Sequence, residues 1–230
     1  MSEESTKTKL VRSKEFIETY FNGKVLDIGG GNDPVVKHAE IFDLIHGDAQ
    51  IILNYKDKES YDCINSSHCL EHMKNIPEAF LQWWTLVKPG GYMVTVVPDE
   101  DLYEQGIWPS IFNNDHKATF RLNKKNTWSP VSYDIHNLVA DLPKVLLISA
   151  EVQDKNYDYL LQGKKLLWFS RKVYKWKRAE NLIKRFVSNI FYNFLYKKFW
   201  IKSVSILGSP VDQTGGNALA QIQIVLRKKI

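Results

Sequence analysis

Lys24-Val25-Leu26-Asp27-Ile28-Gly29-Gly30-Gly31-Asn32-Asp33-Pro34 is the stretch that decides how this chain is read. Val25 to Ile28 has the composition of a short buried strand, and it runs straight into three glycines. Where side chains are missing, a ligand can approach the backbone and meet outward-facing N–H groups. Asp33-Pro34 then supplies an N-cap with proline at the first helical position, which predicts a short helix over Val35 to Glu40. A dinucleotide-binding turn needs G-x-G-x-x-G, because its third glycine lets the helix pack closely on the strand. Counting from Gly29, that third position is Pro34, so the dinucleotide fingerprint fails. What stands there instead is an acid, Asp27, two residues ahead of the glycines.

The flanking sequence alternates between helical and strand patterns. Upstream, Val11, Phe16, Ile17 and Tyr20 predict an amphipathic helix over Leu10 to Phe21, closed by Asn22-Gly23. Downstream, short strands are predicted at Ile41 to Asp43 and at Gln50 to Leu53. Tyr61 to Asn65 reads as a strand and Leu70 to Val87 as a helix. Lys88-Pro89-Gly90-Gly91 reads as a turn before the β-branched strand Tyr92 to Val97. Such alternation predicts right-handed crossovers and a mostly parallel, doubly wound α/β sheet. Leu102 to Trp128 is aromatic and polar without a clear period. Beyond it, a helix is predicted at Asp134 to Leu142, a strand at Val145 to Val152, a helix at Leu182 to Ile201 and a last strand at Ala218 to Leu226. No internal repeat is visible.

Composition narrows the class. At 230 residues, with 44% hydrophobic and 25% charged residues, the chain can bury about 70% of its unfolded surface and needs no disulfide or metal staple. The polar start and the absence of an apolar run of about 18 residues argue against a secretory signal or a membrane span. Cys63 and Cys69 fit no zinc spacing and read as reduced thiols, so a cytoplasmic location is expected. The formal charge of +5 gathers in one segment, with Arg171, Lys172, Lys175, Lys177, Arg178, Lys184 and Arg185, followed by Lys197, Lys198 and Lys202. It therefore says little about the core chemistry.

Asp27-Ile28-Gly29-Gly30-Gly31 resembles motif I of the class I S-adenosylmethionine-dependent methyltransferases. Two further blocks follow in the family's order. Tyr61-Asp62-Cys63-Ile64-Asn65-Ser66-Ser67-His68-Cys69-Leu70-Glu71-His72 looks like its fourth strand and following turn. Leu86-Val87-Lys88-Pro89-Gly90-Gly91 leads into the next strand. The likeness spans about Lys24 to Pro98, and Asp33 replaces the last glycine of the full motif. The resemblance implies a Rossmann-like methyltransferase sheet, mostly parallel with an antiparallel last strand. Residues 1–230 would form one such domain, with 157–217 as a helical insertion or lid before that strand. It also implies S-adenosyl-L-methionine as cofactor. Its binding residues would be Asp27, Gly29, Gly30, Gly31, Asp43, Asp48, Ala49 and Ser66. Asp27 would hold the methionine ammonium, Asp43 the ribose hydroxyls, and Asp48 in Gly47-Asp48-Ala49 the adenine amino group. Asp43 and Asp48 are five positions apart, so one acid serving both ends stays open.

A sulfonium-bound methyl group is already activated, so the protein's task is chiefly to align the acceptor. A hydroxyl acceptor also needs a base, and histidine suits it at neutral pH. His68, just after a parallel strand, and His116 are the candidates. His68 and His72, four residues apart, have the spacing of a metal pair, but no metal ligand is assigned. Asp99, Asp101, Tyr103, Lys117, Arg121 and Gln213 are the candidate substrate contacts, with Trp108, Phe112, Phe120 and Trp128 as aromatic walls. Phe186, Ile190, Phe194, Tyr196 and Phe199 give the insertion an apolar stripe suited to a lid, a homodimer surface or, less favoured, a membrane surface. The acceptor expected is a small polar molecule methylated on oxygen: a sugar, nucleotide sugar or phosphate-bearing precursor of a bacterial surface glycan or secondary pathway. A nucleic-acid substrate is disfavoured. Asn65-Ser66-Ser67-His68 replaces the Asn-Pro-Pro-Tyr type of motif, and no cysteine follows a proline. A catalytically silent binding subunit is the third reading.

Overall fold

The computed structural model describes residues 2–162, 176, 182–191 and 210–230. Val25, Leu26, Asp27 and Ile28 form β1 (Val25–Ile28), and all four are buried, as a strand covered on both faces requires. β2 (Glu40–Phe42) and β3 (Tyr61–Ser67) pair with it in parallel on either side, and β4 (Val87–Pro98) pairs in parallel with β3. The last strand, β8 (Gln221–Lys228), inserts antiparallel between β4 and β7 (Val145–Gln153). The resulting order is β2-β1-β3-β4-β8-β7. This is the mixed, mostly parallel Rossmann-like sheet that the motif order implied. The chain leaves β1 to opposite sides for β2 and β3, and a switch of this kind opens a crevice at the carboxyl ends of the strands.

Period-two alternation divides the side chains between two layers. Leu26, Ile28, Ile64, Met93, Val97, Ile222 and Ile224 meet Phe80, Trp83 and Trp84 of α3 (Ile76–Thr85) in the larger core. Val25, Cys63, Val94 and Val225 face the other way, where Phe16, Ile17, Tyr20 and Phe21 cover them. Most of those residues lie on α2 (Lys14–Tyr20), which follows α1 (Ser2–Val11).

Several local expectations are corrected. The single helix from Leu10 to Phe21 is two helices. Ser13 is extended (φ −68°, ψ 160°), and its side chain accepts from Phe16 N–H, starting α2 afresh. Val35 to Glu40 is a run of turns rather than a helix. Asp27 holds Val35 N–H at 2.6 Å and Gly30 O accepts from Asp33 N–H, which pins the chain on both sides of Pro34, and β2 already begins at Glu40. Gln50 to Leu53 is a 3-10 turn (Ala49–Asn54) capped by Asp48, not a strand; a short apolar run does not by itself separate the two. The helix from Leu70 divides at Asn75, which caps α3 with Pro77 just inside it, leaving a separate 3-10 turn at Leu70–His72. Lys88 to Gly91 belongs to β4. The aperiodic segment contains β5 (Thr119–Arg121), which pairs with β6 (Ser132–Asp134) in a small second sheet. α4 (Ile135–Ala140) starts on Asp134. In the insertion, α5 (Leu182–Phe191) is helical. The rest of the predicted helix, with Phe194, Tyr196, Lys197, Lys198 and Phe199, and the basic residues Arg171, Lys172, Lys175, Lys177, Arg178 and Lys202 lie outside the described residues. Among the described residues no helix is long and apolar enough to cross a membrane.

Candidate active site

The carboxyl ends of β1 to β4 and the start of β8 bring Gly29, Asp43, His68, Asp99 and Gln221 to one edge of the sheet. Gly29 (φ +80°) and Gly31 (φ +54°) take left-handed backbone conformations that the turn requires. A Cβ at Gly29 would lie 2.9 Å from Cys69 Cβ. A Cβ at Gly31 would meet only Asp43 Oδ2, at 3.8 Å, so the glycine floor stays open on that side. Asp43 ties the two strand ends together. Its Oδ2 accepts from Gly31 N–H at 3.1 Å and its Oδ1 from Leu44 N–H at 2.7 Å. The two residues after it, Leu44 and Ile45, are large, apolar and 86% and 89% exposed. Asp48 is an exposed cap on Gln50 N–H, and Ala49 O accepts from Trp83 Nε1. Ser66 is wholly buried within β3, opposite Ile28.

Asp27 is placed more deeply than a binding acid at the surface would be. It points to the α2 side of β1, with Oδ1 accepting from Asn65 Nδ2 and Oδ2 from Val35 N–H, both at 2.6 Å. Burial pushes its carboxyl above the usual range, against the pull of these bonds and of the Arg12 and Lys9 charges. Arg12 completes the row. Its Nε donates to Gln223 Oε1 at 2.9 Å and its Nη1 to Asn65 Oδ1 at 3.4 Å, while its guanidinium lies over Phe16 and Phe21. Burial lowers its pKa to about 10, partly offset by Asp27 and Cys63, so it stays charged at neutral pH. Its Nη2 is buried without a hydrogen-bond partner in a recess lined by Thr8, Lys9, Asp27, Asp33, Val35, Asn65 and Ser67. Sequence reasoning passed over Arg12. The signal available was a single arginine in an amphipathic stretch, and only the break at Ser13 turns it inward. α1 is fastened across this edge: Lys9 reaches Asp33 and Thr8 bonds Gln221.

The two candidate histidines come together around one acid. His68 takes a left-handed conformation (φ +54°) and donates its N–H to Val96 O. Its Nε2 lies 3.0 Å from Gln221 Oε1 and its Nδ1 3.6 Å from Glu71 Oε1. His116 is 7% exposed, with Nδ1 2.7 Å from Glu104 Oε1 and Nε2 4.0 Å from Glu71 Oε1. Tyr103 stacks on the His116 ring at 5.2 Å, and His72 meets it edge-on at 5.1 Å. Burial would raise the Glu71 carboxyl, but the His68 contact and the His116 and His72 charges bring it below its ordinary value.

The remaining candidate contacts do not converge there. Asp99 is 8% exposed, and its Oδ1 accepts from Asp101 and Leu102 N–H groups. Burial first, with Asp101 and Glu100 adding repulsion, pushes its carboxyl up to about 6. Asp101 pairs with Lys124 and accepts from Trp128 Nε1. Arg121 binds Ser132 and faces Asp134, stitching β5 to β6. Lys117 pairs with Asp115, and the Gln213 amide clamps both backbone groups of Asp158. Phe120 is core, and Phe112 packs on Tyr103.

The family described as a methyltransferase domain matches residues 9–129, just over half of the chain. Among solved structures, a S-adenosylmethionine-dependent methyltransferase from Archaeoglobus fulgidus is similar, at 15% identity and a TM-score of 0.49 over 99% of this chain and 95% of that one. A phosphoethanolamine N-methyltransferase 2 from Haemonchus contortus is also similar, at 14% identity and a TM-score of 0.48 over 97% of this chain and 52% of that one. No curated protein matches the chain.

Proposed function

We propose, from the premise that the chain belongs to the methyltransferase domain family and takes S-adenosylmethionine as its cofactor, that it methylates an oxygen of a small polar acceptor. The observation that supports this most is the meeting at one sheet edge of the recess at Arg12, lined also by Lys9, Asp27 and Asn65, with the Gly29–Gly31 turn and a histidine at the next strand end. The residues suit the cofactor. Arg12 Nη2, buried and unpartnered, is placed for the methionine carboxylate. The second lone pairs of the Asp27 oxygens remain for the ammonium. Asp43 is the ribose acid, and Leu44 and Ile45 offer an apolar face to a purine ring. Bound there, the cofactor supplies an electrophilic methyl carbon.

The chain's own groups then act on the acceptor. Gln221 Nε2 donates to Gln153 Oε1 at 2.7 Å, and Gln153 Nε2 donates to Glu151 Oε1, which fixes both amides. Gln221 Oε1 therefore accepts from His68 Nε2–H, and His68 Nδ1, 3.6 Å from Glu71 Oε1, is the nitrogen assigned to carry the acceptor's proton, with the Glu71 carboxylate beside the imidazolium that forms. His116, nearly sealed under Tyr103, is a positioning residue in this reading. The ends of the 157–217 insertion dock beside the site. Tyr157 OH donates to Leu102 O at 2.8 Å, and Gln162 Nε2 donates to Asp101 O at 2.6 Å. We assign the insertion as a lid on that basis, with exposed Leu182, Phe186 and Ile190 of α5 as its closing or dimer-forming face. The acceptor class carried forward is a sugar, nucleotide sugar or phosphorylated precursor. The test is methyl transfer from labelled cofactor to such a panel. His68→Ala is expected to lower kcat by about 10²–10⁴-fold with cofactor affinity kept. Unchanged turnover in His68→Ala would end the base assignment, and transfer only to amines would end the oxygen assignment.

A further inference from the structure

Glu71 has its carboxylate buried among imidazoles, with His68 Nδ1 3.6 Å and His116 Nε2 4.0 Å from its Oε1. Its side chain is fully buried at the turn after β3, and neither carboxylate oxygen has a hydrogen-bond partner. An ionised carboxylate in that position costs several kcal/mol unless a cation answers it. Three imidazoles surround it. One ligand atom each from Glu71, His72 and His116 lies within 4.8 Å of the others, a spacing that small side-chain rotations close to metal-binding distances. The far nitrogens of both rings are already held by carboxylates. His116 Nδ1 lies 2.7 Å from Glu104 Oε1 and His72 Nδ1 3.0 Å from Asp115 Oδ2. That leaves Nε2 of each ring for a ligand. A carboxylate behind a histidine is the arrangement that fixes the tautomer and raises the basicity of a metal-binding imidazole.

We propose that Glu71, His72 and His116 bind one divalent first-row transition-metal ion of the zinc class, with Glu104 and Asp115 orienting the two histidines. Two imidazoles and one carboxylate suit zinc, cobalt or iron(II) and do not suit magnesium or calcium, which prefer all-oxygen shells. Three protein ligands leave a coordination position for water or an acceptor oxygen. The site ties the turn after β3 to the segment after β4, where Lys117 N–H already donates to Glu71 O at 2.7 Å. It departs from the expectation that the chain has no metal ligands. The sequence pairs His68 with His72 by helical spacing, whereas the fold sends His68 to Gln221 and brings in His116 instead. The proposal shares Glu71 and His116 with the surroundings of the His68 base, and metal titration tests it without reference to turnover.

The experiment uses the full chain, stripped with a chelator and titrated with zinc or cobalt(II) against a chromophoric indicator, with cobalt visible absorption as a second readout. One equivalent of ion is expected, with cobalt bands of a low-symmetry nitrogen and oxygen site. His72→Ala and Glu71→Gln should each weaken binding at least tenfold, and Glu104→Gln about 10–100-fold. His136→Ala, which removes a histidine held by Asn123 away from the cluster, should leave affinity unchanged. Circular dichroism and cofactor titration on each variant separate lost ligands from lost fold. Absence of saturable binding in the wild-type chain, or equal affinity in His72→Ala, overturns the proposal.

Discussion

Replacing Arg12 by leucine tests the link between the buried polar row and the cofactor. The substitution removes the charge that faces Asp27, the bonds to Gln223 and Asn65, and the Nη2 group assigned to the cofactor carboxylate. Breaking a buried pair from one side typically costs about 3–5 kcal/mol. Here the lower end applies, because Asp27 keeps its bonds to Val35 and Asn65 and can protonate instead. About 3 kcal/mol in a chain of this size corresponds to a fall in Tm of roughly 6–12 °C. Asp27→Asn added to Arg12→Leu should recover about 1–2 kcal/mol, since it removes the orphaned charge. Loss of one charged hydrogen bond to the cofactor, about 1.5–3 kcal/mol, should raise the Kd for S-adenosylhomocysteine by roughly 10–150-fold. Urea denaturation of the single and double variants gives the first two quantities, and calorimetry gives the third. A destabilisation under about 1 kcal/mol, or an unchanged Kd, refutes the reasoning.

The glycine turn and the β4 edge supply further tests. Gly29→Ala places a Cβ at φ +80° against Cys69, so strain and overlap together should cost about 2–4 kcal/mol. Gly31→Ala meets only Asp43 Oδ2, at an ordinary 3.8 Å, and should cost about 1 kcal/mol by backbone strain alone; equal losses in thermal melts would contradict the geometry. Burial holds the Asp99 carboxyl up at about 6, above the ordinary aspartate value of about 4. The folded state therefore holds its proton more tightly, and stability falls as pH rises from about 4 to about 6. Asp99→Asn keeps an oxygen for the Asp101 and Leu102 N–H groups. It should exceed wild type by up to about 3 kcal/mol above pH 6, with the advantage vanishing near pH 4. An advantage that does not vary with pH would refute the assignment.

The parallel sheet and its glycine turn were legible because they rest on local rules. A buried run ending in glycines and β-branched strands each constrain a few adjacent residues, whereas Lys88 to Gly91, which reads as a turn, lies within β4. Asp43 and His68 were legible for the same reason, since each directly follows a strand. The roles of Arg12 and Glu71 depend on what the fold brings to them across 53 residues in one case (Asn65) and 45 in the other (His116). Asp101, Arg121 and Gln213 were placed by their position in the sequence alone, and their partners Lys124, Ser132 and Asp158 are set by the fold. The turns at Val35 to Glu40 were misread because a proline after an N-cap residue predicts a helix, while the bond from Asp27 to Val35 holds the chain otherwise.

Titration calorimetry of the wild-type chain with S-adenosylhomocysteine, alongside Asp43→Ala, tests most directly whether the edge between Gly29 and Asp43 holds the donor. One site per chain, weakened at least tenfold in Asp43→Ala with the fold retained, is the predicted result. No saturable heat from the wild type, or identical binding by the variant, would contradict the account.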